Sequence, residues 1–278
     1  MGSGIAESAA RAGLEVVVYE PERAPLERSR AAIAASVGRA VAAGKLPGAA
    51  RARLLGRIRH TTQLEDLEAG DLVVEAVDED PTVKGTLFRA LDELMAPEAI
   101  LASNTSSIPI AQIASWTRNP ERVLGLHFFS PVPVMKLVEV VVGLETAPHV
   151  VTRAEGFVRA IAKTPIRTKD RSGFIVNMLL VPYLMAAVRM YEDGFATRED
   201  IDDGMKLGAG HPMGPLTLCD FIGLDVLYSV CGSLYEEFKR PEYAPPPLLR
   251  RMVVAGHHGR KSGRGFYDYL PAAESAAA

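Results

Sequence analysis

The sequence predicts an α/β fold: a mostly parallel sheet domain followed by an all-α C-terminal domain. Three observations carry this reading. As far as Phe129, short apolar or β-branched runs alternate with stretches of helical periodicity, which is the pattern of βαβ units. Beyond Gly173 only helical patterns remain. At 278 residues the chain also exceeds the usual size of one compact domain, so two are expected, 1–169 and 170–278.

Local chemistry justifies each element. Residues 2–12 are small and apolar enough for a helix that Gly13 stops, and Val16–Tyr19 is a β-branched run suited to a buried parallel strand. An Ala- and Arg-rich stretch, 21–43, has helical periodicity, and after a break at Gly44 the pair Pro47-Gly48 opens a further helix. Strands are expected at 71–77, Ile100–Ser103 and 123–129, with helices at 81–95 and 110–117 between them. The rhythm then changes. Ser130-Pro131-Val132-Pro133 makes a turn, and Leu137–Val142 is a strand with no helix before it, so the strands on either side are antiparallel neighbours. A helix at 151–162 and a short strand near Ile166 lead to Asp170. The second domain opens with a long apolar helix, 174–191, passes through turns at Gly194, Gly208-Ala209-Gly210 and Gly214-Pro215, and closes with 263–269. The alanine-rich tail is expected to be disordered.

Composition narrows the function classes. Charged residues make up 23% of the chain, its net charge is −3, and acids and bases are interspersed. There is no basic stripe of the kind that binds nucleic acid and no one-sided basic helix for a membrane surface. The apolar stretch 174–188 is interrupted by Asn177, Pro182 and Tyr183 and falls short of the ~20 residues that span a bilayer. Cys219 and Cys231 lack metal-ligand spacing and are too few for a disulfide framework, so no metal is expected. With no signal-peptide pattern at the start, the chain is read as cytoplasmic, with small molecules as its partners.

Two constellations carry chemistry. The first is the back half of a dinucleotide-binding fingerprint. A Rossmann-like domain begins with a strand, a G-x-G-x-x-G turn and a helix whose N-terminal amides hold a pyrophosphate; a carboxylate about 20 residues on takes the ribose hydroxyls. Met1-Gly2-Ser3-Gly4-Ile5-Ala6 fits the end of that motif with Gly2 as its last glycine, and Glu20, directly after Val16–Tyr19, stands where the acid belongs. The first strand and first two glycines precede this point in the motif, so the chain is expected to begin inside the fingerprint, with the sheet lacking its central strand and NAD bound weakly. Glu20 would repel a 2′-phosphate and favours NAD over NADP, although Arg23 lies close by.

The second constellation is an acid–base pair. His127 follows Val123-Leu124-Gly125-Leu126 at the C-terminal end of a strand, where α/β sheets place their sites. A lone histidine there is more often a packed one. Glu139 alters that balance, because a hairpin centred on Pro133 sets the two residues opposite each other, with Cβ atoms roughly 5 Å apart. A glutamate inside the apolar run Leu137–Val142 needs a partner, and a histidine held by a carboxylate has a fixed tautomer and raised basicity. The polar run 103–107 follows a strand and supplies donors for a carbonyl or a nicotinamide; the alternative is a helix N-cap, to which Ser107 is suited. Asn177 interrupts an otherwise apolar helix face. Glu79 and Lys84 flank a helix start and, taken singly, read as solvated surface.

With these residues in view, the chain resembles the short-chain L-3-hydroxyacyl-CoA dehydrogenases, including the bacterial 3-hydroxybutyryl-CoA dehydrogenases. The resemblance runs from Met1 to Tyr269 and is most specific at SNTSSIPI (103–110), GLHFFSPVPVMKLVEVV (125–141), DRSGFIVNMLLVPYLMAA (170–187), KLGAGHPMGPLTLCDFIGLD (206–225) and GRKSGRGFYDY (259–269). It implies that His127 is the general base, that Glu139 orients it, and that Ser106 and Asn177 hold the substrate's oxygens. It implies further that Glu20, Glu79, Lys84, Asn104, Ser106, Ser130 and Lys261 lie along NAD, that Ser36 and Lys45 lie near coenzyme A, and that the helical domain pairs two subunits into a homodimer. The substrate implied is an (S)-3-hydroxyacyl-CoA; a free hydroxy acid, or a non-catalytic role on the same fold, are the alternatives. Four positions depart from the family's pattern: Ala43 for a Lys that would meet coenzyme A, Ser130 for Asn, Met178 for Arg and Ala186 for Glu. Loss of the last two together removes an ion pair without leaving either partner unpaired.

Overall fold

The computed structural model describes residues 1–269, so the alanine-rich tail lies outside the described residues. The chain divides into two compact units, Met1–Arg171 and Ser172 onward.

The first unit alternates strands and helices. Helix α1 (Gly2–Arg11) buries Ile5, Ala6, Ala9 and Ala10 on one face, as its i, i+4 spacing requires. Strand β1 (Val16–Tyr19) follows, then α2 (Arg23–Ala42), whose buried Leu26, Ile33 and Val37 form one stripe, then α3 (Ala50–Gly56) and β2 (Ile58–Thr61). Strands β1 and β2 pair in parallel, with Val16 opposite Ile58. Strand β2 is an addition to the expected elements. Its sequence, Ile-Arg-His-Thr, is too polar to read as a buried strand, because Arg59 points outward to an ion pair with Asp66, a common device on sheet edges.

Five more strands form a second sheet in the order β3-β4-β5-β6-β7: β3 (Leu72–Glu75), β4 (Ile100–Ser103), β5 (Val123–Phe128), β6 (Leu137–Val142) and β7 (Thr164–Lys169). All neighbours are parallel except β5 and β6, which are antiparallel as the turn at Ser130 to Pro133 predicts. Every residue of β4 and β5 is buried, which explains their apolar composition. Helices α4 (Pro81–Leu94), α5 (Ile110–Ala114) and α6 (Pro148–Ala160) make the crossovers and the final cover. Helix α4 begins where it does because the Asp80 carboxylate accepts from the amides of Thr82 and Val83, with Pro81 in its first turn. Strands β1 and β3 belong to separate hydrogen-bonded sheets among the described residues, yet Val16, Leu72 and Val74 all pack against one core with Ile5, Leu124 and Leu126.

The second unit is helical: α7 (Val176–Glu192), α8 (Arg198–Asp203), α9 (Pro215–Ile222), α10 (Leu224–Phe238) and α11 (Pro247–Val254). Helix α7 starts two residues later than its apolar run, because Gly173 and Phe174 both have positive φ (78° and 48°), a conformation no α-helix contains. The core is built from Leu184, Met185, Leu216, Leu227, Cys231 and Leu249. Both cysteines are buried thiols, and burial pushes both upward, the Cys231 thiol to about 12, which disfavours the thiolate. Among the described residues no single helix is long and apolar enough to cross a membrane.

The closing segment is tied down by Asp220 of α9. Its carboxylate accepts from the amides of Phe266 and Tyr267 and from the Tyr269 hydroxyl, each at 2.9 Å. A Cβ on Gly265 would lie 2.0 Å from this carboxylate, which is why a glycine stands there. Replacing Asp220 by Ala strands three donors at once, so urea unfolding of Asp220→Ala is expected to show a loss of roughly 2–4 kcal/mol; a loss below about 0.5 kcal/mol would show that the segment is held by other means.

Candidate active site

The register of β5 and β6 decides the site. His127 lies directly opposite Glu139, and its Nδ1 is 2.7 Å from Glu139 Oε2. Glu139 is 1% exposed and His127 7%, so the bond is made out of bulk water. A carboxylate only accepts, so Nδ1 is the donor in this bond and the ring is held by that contact. The Phe129 and His127 rings meet edge to face, with centroids 4.7 Å apart and planes 60° from parallel. Lys163 fastens the turn that creates this register by donating to the carbonyls of Val132 and Met135. Burial, and then the nearby Lys136, hold its ammonium below the usual lysine range. Gly125, two residues before His127, lets the sheet close: a Cβ there would lie 2.8 Å from Val141 and 2.9 Å from Ile110.

Beside the pair lies the irregular segment that links β4 to α5. The Asn104 side-chain oxygen accepts from the amide of Phe128, tying this segment to the residue after His127. Glu79 Oε1 accepts from the amides of Ser106 and Ser107 at 2.9 and 3.0 Å and from the hydroxyls of Thr105 and Ser107. Asp170 caps α5 by accepting from the amides of Ile110 and Ala111. Ser107 is therefore not the N-cap: the helix starts three residues later, and its free amides are met by a carboxylate from a distant position.

Glu79 and Lys84 are not solvated surface. The Lys84 side chain is fully buried, and its ammonium lies 3.0 Å from Glu79 Oε2 and 2.8 and 2.9 Å from the two oxygens of Glu75. Burial, the largest effect on Glu79, raises its pKa, but the Lys84 charge, bonds from Thr105 and Lys84 and the Ser106 amide outweigh it and bring the carboxyl to about 2. Glu75 is a buried carboxylate of this cluster that the sequence analysis does not single out. The signal was available: it is a glutamate in the apolar run Leu72–Glu75, subject to the same cost that singled out Glu139.

The residues expected to hold the nucleotide, Gly2 and Glu20, lie on the same unit. Helix α1 opens at Gly2, whose added Cβ would approach Ala76 just past β3, and Glu20 follows the last residue of β1. A helix N-terminus and a carboxylate, both beyond strand C-terminal ends, fit a pyrophosphate and a ribose. Ser36 lies half-buried on α2, Lys45 is exposed just past that helix, and Ser130 is exposed at the start of the β5–β6 turn. In the second unit, Asn177 is half-buried in the first turn of α7, and Lys261 pairs with Asp225 at 2.6 Å. Met178 receives the Tyr243 hydroxyl at 3.7 Å on its sulfur, and Ala186 is exposed, so neither replaced charge leaves a buried partner here. Among the described residues no group of three or more His, Cys, Asp or Glu side chains is clustered to hold a metal ion.

Residues 1–171 match the family described as 3-hydroxyacyl-CoA dehydrogenase, NAD binding domain, and residues 173–269 match its C-terminal domain. The chain belongs to the 3-hydroxyacyl-CoA dehydrogenase family. It is 54% identical over 271 residues to a 3-hydroxybutyryl-CoA dehydrogenase of Mycobacterium tuberculosis, covering 97% of this chain and 95% of that protein. The mitochondrial hydroxyacyl-coenzyme A dehydrogenase of Homo sapiens is 43% identical, with 97% and 88% covered. The crystal structure of an (S)-3-hydroxybutyryl-CoA dehydrogenase from Ralstonia eutropha superposes with a TM-score of 0.92 at 42% identity, covering 98% of this chain and 96% of that one.

For this family member the depressed Glu79 pKa has a stability consequence. The group binds its proton less readily folded than unfolded, so its contribution is complete above pH 4.5 and disappears as pH falls from 4.5 to about 2. Urea unfolding at pH 6 and pH 3 is expected to show a smaller stability drop for Glu79→Ala than for the wild type; equal drops would mean that the carboxylate's contacts contribute nothing to the fold.

Proposed function

We propose that the chain oxidises (S)-3-hydroxyacyl-CoA, 3-hydroxybutyryl-CoA first among them, to 3-oxoacyl-CoA with NAD. The single observation that carries this reading is the buried 2.7 Å bond between His127 Nδ1 and Glu139 Oε2 at the C-terminal edge of the sheet. With Nδ1 oriented by the carboxylate, Nε2 is the nitrogen assigned to take the hydroxyl proton. Glu139 holds the ring and stabilises the imidazolium once that proton has moved, without taking the proton itself. NAD, when bound, accepts the C3 hydride as the carbonyl forms.

The helix α1 N-terminus and Glu20 would hold the dinucleotide, and the Glu20 carboxylate disfavours the extra 2′-phosphate of NADP. Ser106 and Asn177 are assigned to the substrate's oxygens, and Ser36 with Lys45 to coenzyme A; Lys45 is the exposed cation of that set. Lys261, Ser130 and Asn104 are assigned to the cofactor. Asn104 acts through its carboxamide NH2, since its oxygen is taken by Phe128. The first unit is thus the nucleotide domain, and the second the substrate and pairing domain of a cytoplasmic homodimer. Pairing is supported by large apolar side chains left exposed on the second unit, Leu179, Leu207 and Val254 among them.

Two measurements test the assignment. Acetoacetyl-CoA is expected to support NADH oxidation, whereas free acetoacetate at equal concentration is not; the reverse result would move the substrate to the free acids. His127→Ala is expected to lower turnover by about 10²-fold or more and also to lower the unfolding midpoint, because the buried Glu139 loses its bond to the ring; retention of full activity by the folded variant would remove His127 from the mechanism.

A further inference from the structure

We infer that Glu75 is a positioning residue for Ser106, acting through Lys84 and Glu79. Four links carry the argument. Glu75 is the last residue of β3 and is fixed by the ladder opposite Ser103 of β4, whose hydroxyl it accepts at 2.5 Å. Its Oε1 also takes the amide of Val77 at 2.7 Å and, with Oε2, the Lys84 ammonium. Lys84 projects from α4 and spends its remaining capacity on Glu79 at 3.0 Å. Glu79 then holds the backbone of Ser106 and Ser107.

The geography of these residues gives the chain of contacts its purpose. Glu75 and Lys84 sit on regular elements whose positions are set by backbone hydrogen bonds. Glu79 and Ser106 sit on two irregular connections, one after β3 and one after β4, which no ladder fixes. Two carboxylates around one ammonium transmit the precision of the sheet to both connections. The fully buried Lys84 ammonium cannot move toward water if one carboxylate is lost, since its side chain has no exposed surface. Glu75 fixes the point at which Glu79 must meet it, and so the height of the Ser106 amide above the sheet. Lys84 and Glu79, read from the family resemblance as cofactor contacts, thereby also act inward, on the segment that carries Ser106.

That Ser106 matters to turnover rests on the dehydrogenase reading above, so the experiment has one arm that depends on it and one that does not. In the first, hydrogen exchange of the 104–109 segment is compared in wild type, Glu75→Gln and the double variant Glu75→Gln/Lys84→Met, in which the buried pair becomes neutral and of similar volume. Glu75→Gln is expected to speed exchange of this segment about tenfold while β6 (137–142) is unchanged. The double variant is expected to regain the wild-type unfolding midpoint and keep the fast exchange. In the second arm, acetoacetyl-CoA reduction by Glu75→Gln is expected to fall by about tenfold or more in kcat, since misplacement near 1 Å costs up to about 10²-fold. A purely structural Glu75 predicts instead that stability and exchange recover together in the double variant, and this outcome overturns the inference, as does unchanged exchange in Glu75→Gln. Should Glu75→Gln fail to fold, exchange of the 104–109 segment in the double variant decides. An inactive wild type with the expected exchange pattern would sink the dehydrogenase reading and leave the positioning role of Glu75 standing.

Discussion

A carboxylate placed inside a β-strand has to be met by a donor, and the first unit of this protein is arranged around two such carboxylates. Glu139 in β6 is met by His127 across an antiparallel pair, and Glu75 in β3 by Lys84 from the following helix. Each would cost several kcal/mol if left unpaired. The partners are therefore obligatory, and the positions of His127 and Lys84 follow from them. In the first case the enforced partner is an imidazole, the side chain to which the proposed proton transfer is assigned. In the second it has no free proton and becomes scaffold.

The same logic extends to the loops. Strands β3, β4 and β5 are held by their ladders, but the connections after them have no regular hydrogen bonding, and these are the connections that carry Glu79, Ser106 and Ser130. Side chains supply what the backbone does not. Glu79 ties the segment after β4 to the one after β3, Asn104 ties it to β5, Asp170 ties its far end to the chain after β7, and Lys163 clamps the turn after β5. Order at the catalytic edge comes from charged or amide groups bonded to backbone, which hold distance better than apolar contacts do because they are directional.

How much of this was legible in the sequence depended on whether a feature is local. Val16–Tyr19, Ile100–Ser103 and Leu137–Val142 are strands with the bounds their apolar runs imply, and the opposition of His127 and Glu139 follows from counting outward from Pro133. Strand β2 was not legible, since an edge strand of Ile-Arg-His-Thr has neither alternation nor apolar continuity. The start of α7 was misplaced because a positive φ at Phe174 has no side-chain signature. The cap on α5 comes from Asp170, 60 residues away from Ile110, and no local pattern can announce it. Glu75 differs: the argument that found Glu139 applied equally to it, and only the absence of a histidine opposite made it inconspicuous.

The charge arithmetic of the two carboxylates explains why one is coupled to chemistry and the other is kept from it. In the proposed reaction, a proton taken from the substrate's hydroxyl adds one positive charge to the His127–Glu139 pair. A carboxylate already fixed beside the ring stabilises that added charge without any reorganisation of solvent. The Glu75–Lys84–Glu79 group places two acids around one fully enclosed base. Its negative excess is spent on the amides of Ser106 and Ser107, which are partial positive charges that cannot titrate. In the proposed reaction one buried acid is thus paired with the group that takes the proton and the other with groups that hold a loop, although both are built from a glutamate in a strand.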